Sequence, residues 1–283
     1  MDVIEHGQRL SHFRNETLAF EKAIRRAIAE AGDGPVPLVP SCPGWSAADL
    51  VGHLGGVHRF VGRILRDRLA EAPDHTDLAI FAIPQDPAVR AAWPKRETEP
   101  NRGPVPQALT EWFAQGARQL EGLFRELGPD VPVWTWSVDA ADRAAHTSGF
   151  WLRMQTIELA VHRWDAESAT GAPGPIDAEI AVDAVPQTFE AMAPFRRAMT
   201  GAPAGAGERY RFRRTDGPES WTVTFSGERV LVEHGVTDPV DVEAAGTASD
   251  LMLFLWRRIP STGLAVTGDA DLLPHYFTLV PPV

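Results

Sequence analysis

The sequence holds a single cysteine, Cys42. It can form no internal disulfide and no multi-cysteine zinc or iron–sulfur site. That usage suits a reducing compartment, and the expected location is the cytoplasm. No apolar stretch approaches the roughly 20 residues that cross a bilayer; the longest, around Leu78–Ile83 and Leu251–Trp256, are core-sized. Met1-Asp2-Val3-Ile4-Glu5-His6 lacks the basic start and apolar run of a signal peptide. Positive charge is in deficit: 27 Lys and Arg stand against 38 Asp and Glu, a net charge of −11. That balance disfavours broad binding to nucleic acid or anionic membrane, which needs a basic surface. It still allows a local basic pocket for an anionic small molecule. No GxGxxG loop, P-loop or GxSxG elbow occurs, and no Ser/His/Asp set stands out, which weakens nucleotide enzymes and serine hydrolases. Tyrosine is scarce at 2, whereas tryptophan reaches 9, a hint of large apolar pockets.

What remains is an ordinary globular composition, 44% hydrophobic and 23% charged over 283 residues. That length suits one large domain or two medium ones, either able to bury a core. Leu10, Phe13, Thr17, Phe20, Ile24 and Ala27 alternate steps of three and four, predicting a helix over about 5–31 that Gly32-Asp33-Gly34-Pro35 ends. After a loop stiffened by Pro37, Pro40 and Pro43, Ser46-Ala47-Ala48-Asp49 fits a capping box. The helix it opens carries Leu50, Leu54, Val57, Val61 and Ile64 on one stripe, with His53 beside it. Residues 70–105, rich in Pro, Asp and Ala, read as a long loop with one short helix, a type of segment often used as a cover. A third helix carries Leu109, Phe113, Gly116, Leu120, Leu123 and Leu127. Trp134-Thr135-Trp136 link it to a fourth, over about 141–169. Phe150, Met154, Ile157 and Val161 form the core stripe of that helix; beside them run Trp151, Gln155, Glu158, His162 and Asp165.

Four long helices imply a helical bundle over 1–172. The texture changes at Thr170–Pro175. From 176 to 283 the sequence predicts one helix (about 177–199), then strands at Tyr210–Arg213, Trp221–Phe225, Val230–Val232 and Val240–Glu243. A helix that begins at Thr247-Ala248-Ser249-Asp250 and runs through Trp256, a short strand at Ala265-Val266 and a last helix over Asp269–Phe277 complete a small α+β domain.

Glu158 and His162 stand four apart on a helix, so both can reach one ion. His53 on a facing helix could supply a third donor, as bundle cores often do. Two imidazoles and a carboxylate bind Zn²⁺ with one position open, the catalytic arrangement. They equally suit a non-haem Fe(II) triad. By spacing alone, the plainer reading is a helix-surface pair and a core-edge histidine. For Cys42 the alternatives are a buried small residue and a reactive thiol or fourth ligand. Asp165 is either a partner of a ligand histidine or, more simply, a surface carboxylate beside Arg163. His58 and His146 are expected to be solvated or satisfied. Arg257 and Arg258 fit a helix C-terminus, with a clamp on a substrate carboxylate as the alternative.

Two segments carry a resemblance. Val39-Pro40-Ser41-Cys42-Pro43-Gly44-Trp45-Ser46-Ala47-Ala48-Asp49-Leu50-Val51-Gly52-His53-Leu54 and Glu158-Leu159-Ala160-Val161-His162-Arg163-Trp164-Asp165-Ala166-Glu167 resemble the paired signatures of the mycothiol-dependent maleylpyruvate isomerase family of actinobacterial proteins. Ala248-Ser249-Asp250-Leu251 and Thr267-Gly268-Asp269 match its C-terminal part more loosely. The resemblance implies a DinB-like four-helix metal-binding domain followed by a small sterol-carrier-like α+β domain. It further implies a divalent metal, usually zinc, on His53, Glu158 and His162, with mycothiol as cosubstrate. The implied activity is that of a transferase or isomerase, in which a metal-bound thiolate attacks an electrophilic small molecule. A zinc hydrolase of a small molecule and a non-enzymatic carrier or regulator are the competing classes, with an Fe(II) oxygenase more distant. The expected partners are that electrophile and a low-molecular-weight thiol. Neither nucleic acid nor membrane is expected, and the protein should be a monomer or homodimer.

Overall fold

The computed structural model describes residues 4–84, 86–138 and 146–282. By its contacts the chain divides into two compact units, Met1–Thr135 with Ala141–Gly174, and Trp136–Ala140 with Pro175–Val283.

In the first unit the alternating apolar steps become α1 (His6–Ala31), which buries Phe13, Thr17, Phe20, Ile24 and Ala27. The capping box forms at the start of α2 (Ala47–Asp67): Ser46 accepts from the Asp49 amide, and Asp49 returns a bond to the Ser46 backbone. Asp49 also accepts from the Asn101 amide at 3.0 Å, so the helix start anchors the far end of the long loop. That loop is more structured than its composition predicts. It contains a 3₁₀ turn at Leu78–Phe81, a short helix α3 (Pro87–Ala91) and a second 3₁₀ turn at Arg96–Thr98. Asp77 and Asp86 cap the first two of these, a local signal that a composition reading passes over. α4 (Gln107–Leu127) and α5 (Ser148–Ser168) complete the bundle. The first part of the helix predicted over 141–169 falls at 141–145, outside the described residues; the described part begins at Ser148, capped by Thr147. α1 packs on α5 and α2 on α4, with further contacts of α2 on α5 and α1 on α4. α5 is the central helix, buried on nearly every side.

In the second unit the single helix predicted over 177–199 is interrupted. α6 (Ala178–Gln187) runs through a π turn at Thr188–Met192 into α7 (Ala193–Thr200). Pro186 and Pro194 remove two amide donors and crowd the preceding turns, and the wider π turn accommodates that loss. The strands are β1 (Gly205–Arg214), β2 (Ser220–Gly227), β3 (Arg229–His234), β4 (Val242–Gly246) and β5 (Ala265–Gly268), in the order β3-β2-β1-β4-β5. Every pair is antiparallel except β1 with β4. Alternation puts Tyr210, Phe212, Trp221, Val223, Phe225, Val242 and Ala244 in the core. α8 (Ala248–Leu255) packs against α6, β1 and β4. α9 (Leu272–Leu279) brings Tyr276 onto Tyr210, Phe212 and Phe225. Trp136, read as part of the interhelical link, lies in this unit with its ring 4.9 Å from that of Phe195. A helical N-terminal region followed by a small mixed-sheet domain is the architecture expected from the sequence. Among the described residues, no helix is long and apolar enough to cross a membrane.

Candidate metal centre

His53 projects from α2 towards α5, and Glu158 and His162 lie one turn apart on α5. One donor atom from each falls within 4.8 Å of the other two. His53 Nε2 and Glu158 Oε1 are 3.0 Å apart. Two donors on a tetrahedral ion with bonds near 2.0–2.1 Å sit roughly 3.3 Å apart, close to this one separation. The His53 and His162 rings meet edge to face at 5.0 Å. Trp45, delivered by the Pro-Gly turn before α2, stands 4.9 Å from His53 and 6.1 Å from His162 and walls one side. The site is open on the His53 side, where that side chain is 31% exposed.

The supporting polar groups are specific. Glu158 Oε2 accepts from Gln155 Nε2 at 2.9 Å. Burial works to push the Glu158 carboxyl up, but the hydrogen bond to His53 and the charges of His53, His162 and His58 outweigh it and hold it down at about 2. The group is therefore a carboxylate at neutral pH.

Asp165 is wholly buried, which corrects the simpler expectation of a surface carboxylate beside Arg163. It takes three donors at once: Ser41 Oγ at 2.6 Å, Cys42 Sγ at 3.3 Å and His162 Nδ1 at 2.9 Å. An ionised carboxylate only accepts, so His162 carries its proton on Nδ1 and keeps Nε2 as its lone-pair donor. A second set, Cys42, His162 and Asp165, also brings its donor atoms within 4.8 Å and shares His162 with the first; Asp165 there accepts the three hydrogen bonds above. Cys42 is thus neither a plain apolar filler nor a fully exposed thiol. Its signature loop and α5 meet through Asp165, a contact that no sequence spacing announces.

The other weighed residues separate. His146 bonds Thr135 Oγ1 at 3.0 Å. His58, expected to be solvated or satisfied, is instead buried with neither ring nitrogen bonded among the described residues. Arg257 and Arg258 follow the end of α8 in the second unit. Arg258 donates to the Trp256 carbonyl at 2.8 Å, and Arg257 lies 5.3 Å from the Phe277 ring.

Asp165 makes the first testable point. Removing the charge that orients a ligand histidine typically costs about 10–100-fold in metal affinity. Asp165→Asn should weaken zinc binding by that factor in a chelator-competition titration, with the stoichiometry kept. Undiminished affinity would show that Asp165 does not position His162.

A search of curated proteins gives no match. Among solved structures, the chain superposes on a mycothiol-dependent maleylpyruvate isomerase with TM-score 0.59 at 16% identity, covering 95% of this chain and 98% of that one. A His-to-Ala mutant of a mycothiol-dependent maleylpyruvate isomerase gives TM-score 0.58 at 15% identity with the same coverage. At such identities these likenesses establish the fold. Residues 179–275 match the family model of the maleylpyruvate isomerase C-terminal domain. Residues 15–167, which carry Trp45, His53, Glu158, His162 and Asp165, match that of the mycothiol maleylpyruvate isomerase N-terminal domain, and the chain belongs to this family.

Proposed function

We propose that the protein is a metal-dependent, mycothiol-using transferase or isomerase acting on an electrophilic small molecule, with His53, Glu158 and His162 as the metal ligands. The observation that carries this reading is the convergence of three donors within 4.8 Å, one of them oriented by the buried Asp165. His53, Glu158 and His162 would hold a divalent cation, zinc being the best match to their nitrogen and oxygen donors, and such an ion would supply the Lewis acidity that lowers the pKa of a thiol bound beside it.

The residues of the chain do the rest. Glu158 contributes the negative charge, and Gln155 fixes its second oxygen. Asp165 holds His162 in one tautomer and one direction. Trp45 covers both imidazoles and keeps water off that side, which strengthens every charge interaction next to it. A free alkyl thiol has a pKa near 8.5 and is mostly protonated at neutral pH. Once ionised it is a strong nucleophile. Addition to an activated carbon–carbon double bond leaves a single bond that can rotate. Expelling the thiolate then returns the isomerised alkene, and protonating the adduct instead gives an S-conjugate. A cytoplasmic setting suits a cosubstrate that must stay reduced.

Calorimetric titration of the zinc-loaded protein with mycothiol, with glutathione and ergothioneine as controls, tests this. Run at pH 7 in buffers of different ionisation enthalpy, it should report release of about one proton per thiol bound, because the free thiol is almost wholly protonated there. Metal-free protein should release none. A zinc-loaded protein that binds no thiol would overturn the thiol reading. The same His₂Glu set with an open position also fits zinc activation of water, and hydrolysis of small-molecule esters or amides without any thiol would then favour a hydrolase.

A further inference from the structure

Five residues beyond His53 on α2, the bundle holds a second polar feature that the metal centre does not use. Between α2 and α4, beneath the 3₁₀ turn at Leu78–Phe81, lies a cavity of about 110 Å³. His58, Arg59, Gly62, Arg66, Gly116 and Gln119 line it. His58 is 1% exposed and Arg59 8%. His58 sits between the rings of Phe13 and Phe113, at 5.7 and 5.3 Å, and neither of its nitrogens has a partner among the described residues. A buried imidazole without a partner forfeits the hydrogen bonds it makes in water.

Arg59 beside it is a buried cation whose contacts are all neutral. It donates to the Gly55 carbonyl at 3.3 Å and the Trp112 carbonyl at 2.8 Å, and stacks on the Trp112 ring at 4.1 Å. No carboxylate pairs with it among the described residues. Burial lowers its pKa to about 10, still far above neutrality, so the charge persists. Burial also drives the His58 imidazolium down to about 3, helped by the Arg59 charge and opposed by that of Glu158, so His58 is neutral and can donate one N–H. The seat is built by glycines. A Cβ on Gly116 would lie 2.4 Å from Arg59 Nη1, and one on Gly55 would lie 2.0 Å from the Trp112 ring. Only Gly at these two positions lets the guanidinium and the indole interleave between the helices.

We propose that this cavity binds a small oxyanion, a free carboxylate of formate or acetate size, with Arg59 supplying the counter-charge and His58 an N–H donor. A buried guanidinium is stabilised when a carboxylate neutralises it and takes its free donors. The cavity has room for a few water-sized centres, enough for an anion of formate or acetate size. Arg66 and Gln119, both exposed, stand at its rim and give an entry side.

The test is NMR of full-length protein labelled with ¹⁵N in histidine. Sodium acetate replaces sodium chloride at constant ionic strength and pH 7. The His58 ring resonances, assigned by their loss in His58→Gln, should shift saturably, with a dissociation constant on the order of 1 mM for so small a ligand. Arg59→Gln should weaken binding at least about tenfold, since a charge-assisted contact is lost. Because Arg59 also ties α2 to α4, a gentler variant is needed. A methyl on Gly62 meets only Leu123 Cδ1, at 3.9 Å, so Gly62→Ala keeps the fold while narrowing the cavity, and it too should weaken binding. A shift in the wild type that never saturates overturns the proposal, as does wild-type affinity in Gly62→Ala or in folded Arg59→Gln. Maleate binding as tightly as acetate, or more tightly, would overturn the assignment to a small free oxyanion and favour the acid end of a larger ligand.

Discussion

His162→Ala should lose stoichiometric divalent metal and, with it, thiol-dependent activity, and His53→Ala should do the same. Protein-bound structural zinc has apparent binding free energies of about 10–16 kcal/mol at neutral pH. Divided among three or four donors, one imidazole is worth roughly 3–4 kcal/mol, or two to three orders of magnitude in affinity. Metal analysis after dialysis against a weak chelator should fall from near one ion per chain to a small fraction. Folding should persist, because α5 is held by α1 and α2 through apolar side chains rather than through the imidazoles. Full metal in either folded variant would remove that residue from the ligand set. His53→Ala carries a second, pH-linked signature in metal-free protein. Glu158 sits at about 2, below its unfolded value near 4.3, so its contribution to stability is present above that value and fades as pH falls towards 2. The hydrogen bond to His53 is the strongest influence holding it down. Without it burial acts with less opposition, the carboxyl pKa rises, and acid unfolding of the variant should begin at higher pH.

Arg163→Ala should produce the largest loss of stability among the polar residues of the bundle. The residue is 5% exposed, and its guanidinium donates to Glu16 on α1 at 2.9 Å, to Glu167 one turn along α5 at 2.8 Å and to the Gly174 carbonyl at 3.1 Å. Burial pulls its pKa down, but the two carboxylates outweigh that and raise it above the ordinary arginine value. Deleting the cation leaves Glu16 buried on the α1–α5 seam facing a void. Breaking a buried pair from one side costs about 3–5 kcal/mol. For a unit of this size that lowers the thermal midpoint by about 10 °C. Glu16→Gln should cost about 1–2 kcal/mol, since the amide still accepts a hydrogen bond and Glu167 still answers the charge. Denaturant unfolding of the two variants checks the asymmetry; equal costs would show that the second carboxylate does not share the load.

The residues of the candidate centre were more legible than their surroundings. Glu158 and His162 are four apart, and helical geometry alone makes that a shared face. His53 follows from a capped helix whose start is written in Ser46 and Asp49. The two signature segments then pair these residues through a family resemblance rather than through spacing. Asp165 was harder to read. Its neighbour Arg163 suggests a surface ion pair, yet Asp165 faces the Ser41–Cys42 loop and Arg163 faces Glu16, because residues two apart on a helix point in different directions. The loop that feeds Asp165 its donors lies more than 120 residues away in the chain. His58 misled for a related reason. The sequence reading has it solvated or satisfied, whereas helix packing buries it between Phe13 and Phe113 with no hydrogen-bond partner among the described residues.

Local chemistry in the sequence determined the helices, their caps, the alternating strands and the turn at Ser226–Glu228, because each depends on residues within one or two turns. It also determined the absence of an internal disulfide. The interruption at Thr188–Met192 was within its reach, through Pro186 and Pro194, but only as a defect without a form. Tertiary structure alone decided that Asp165 orients His162, that Trp45 covers both imidazoles, and that Arg59 and Trp112 interleave over Gly55 and Gly116. Each of those depends on which helix faces which, and at what distance. That pairing is set by the packing of apolar surfaces summed over whole helices, a many-residue property that no single spacing encodes.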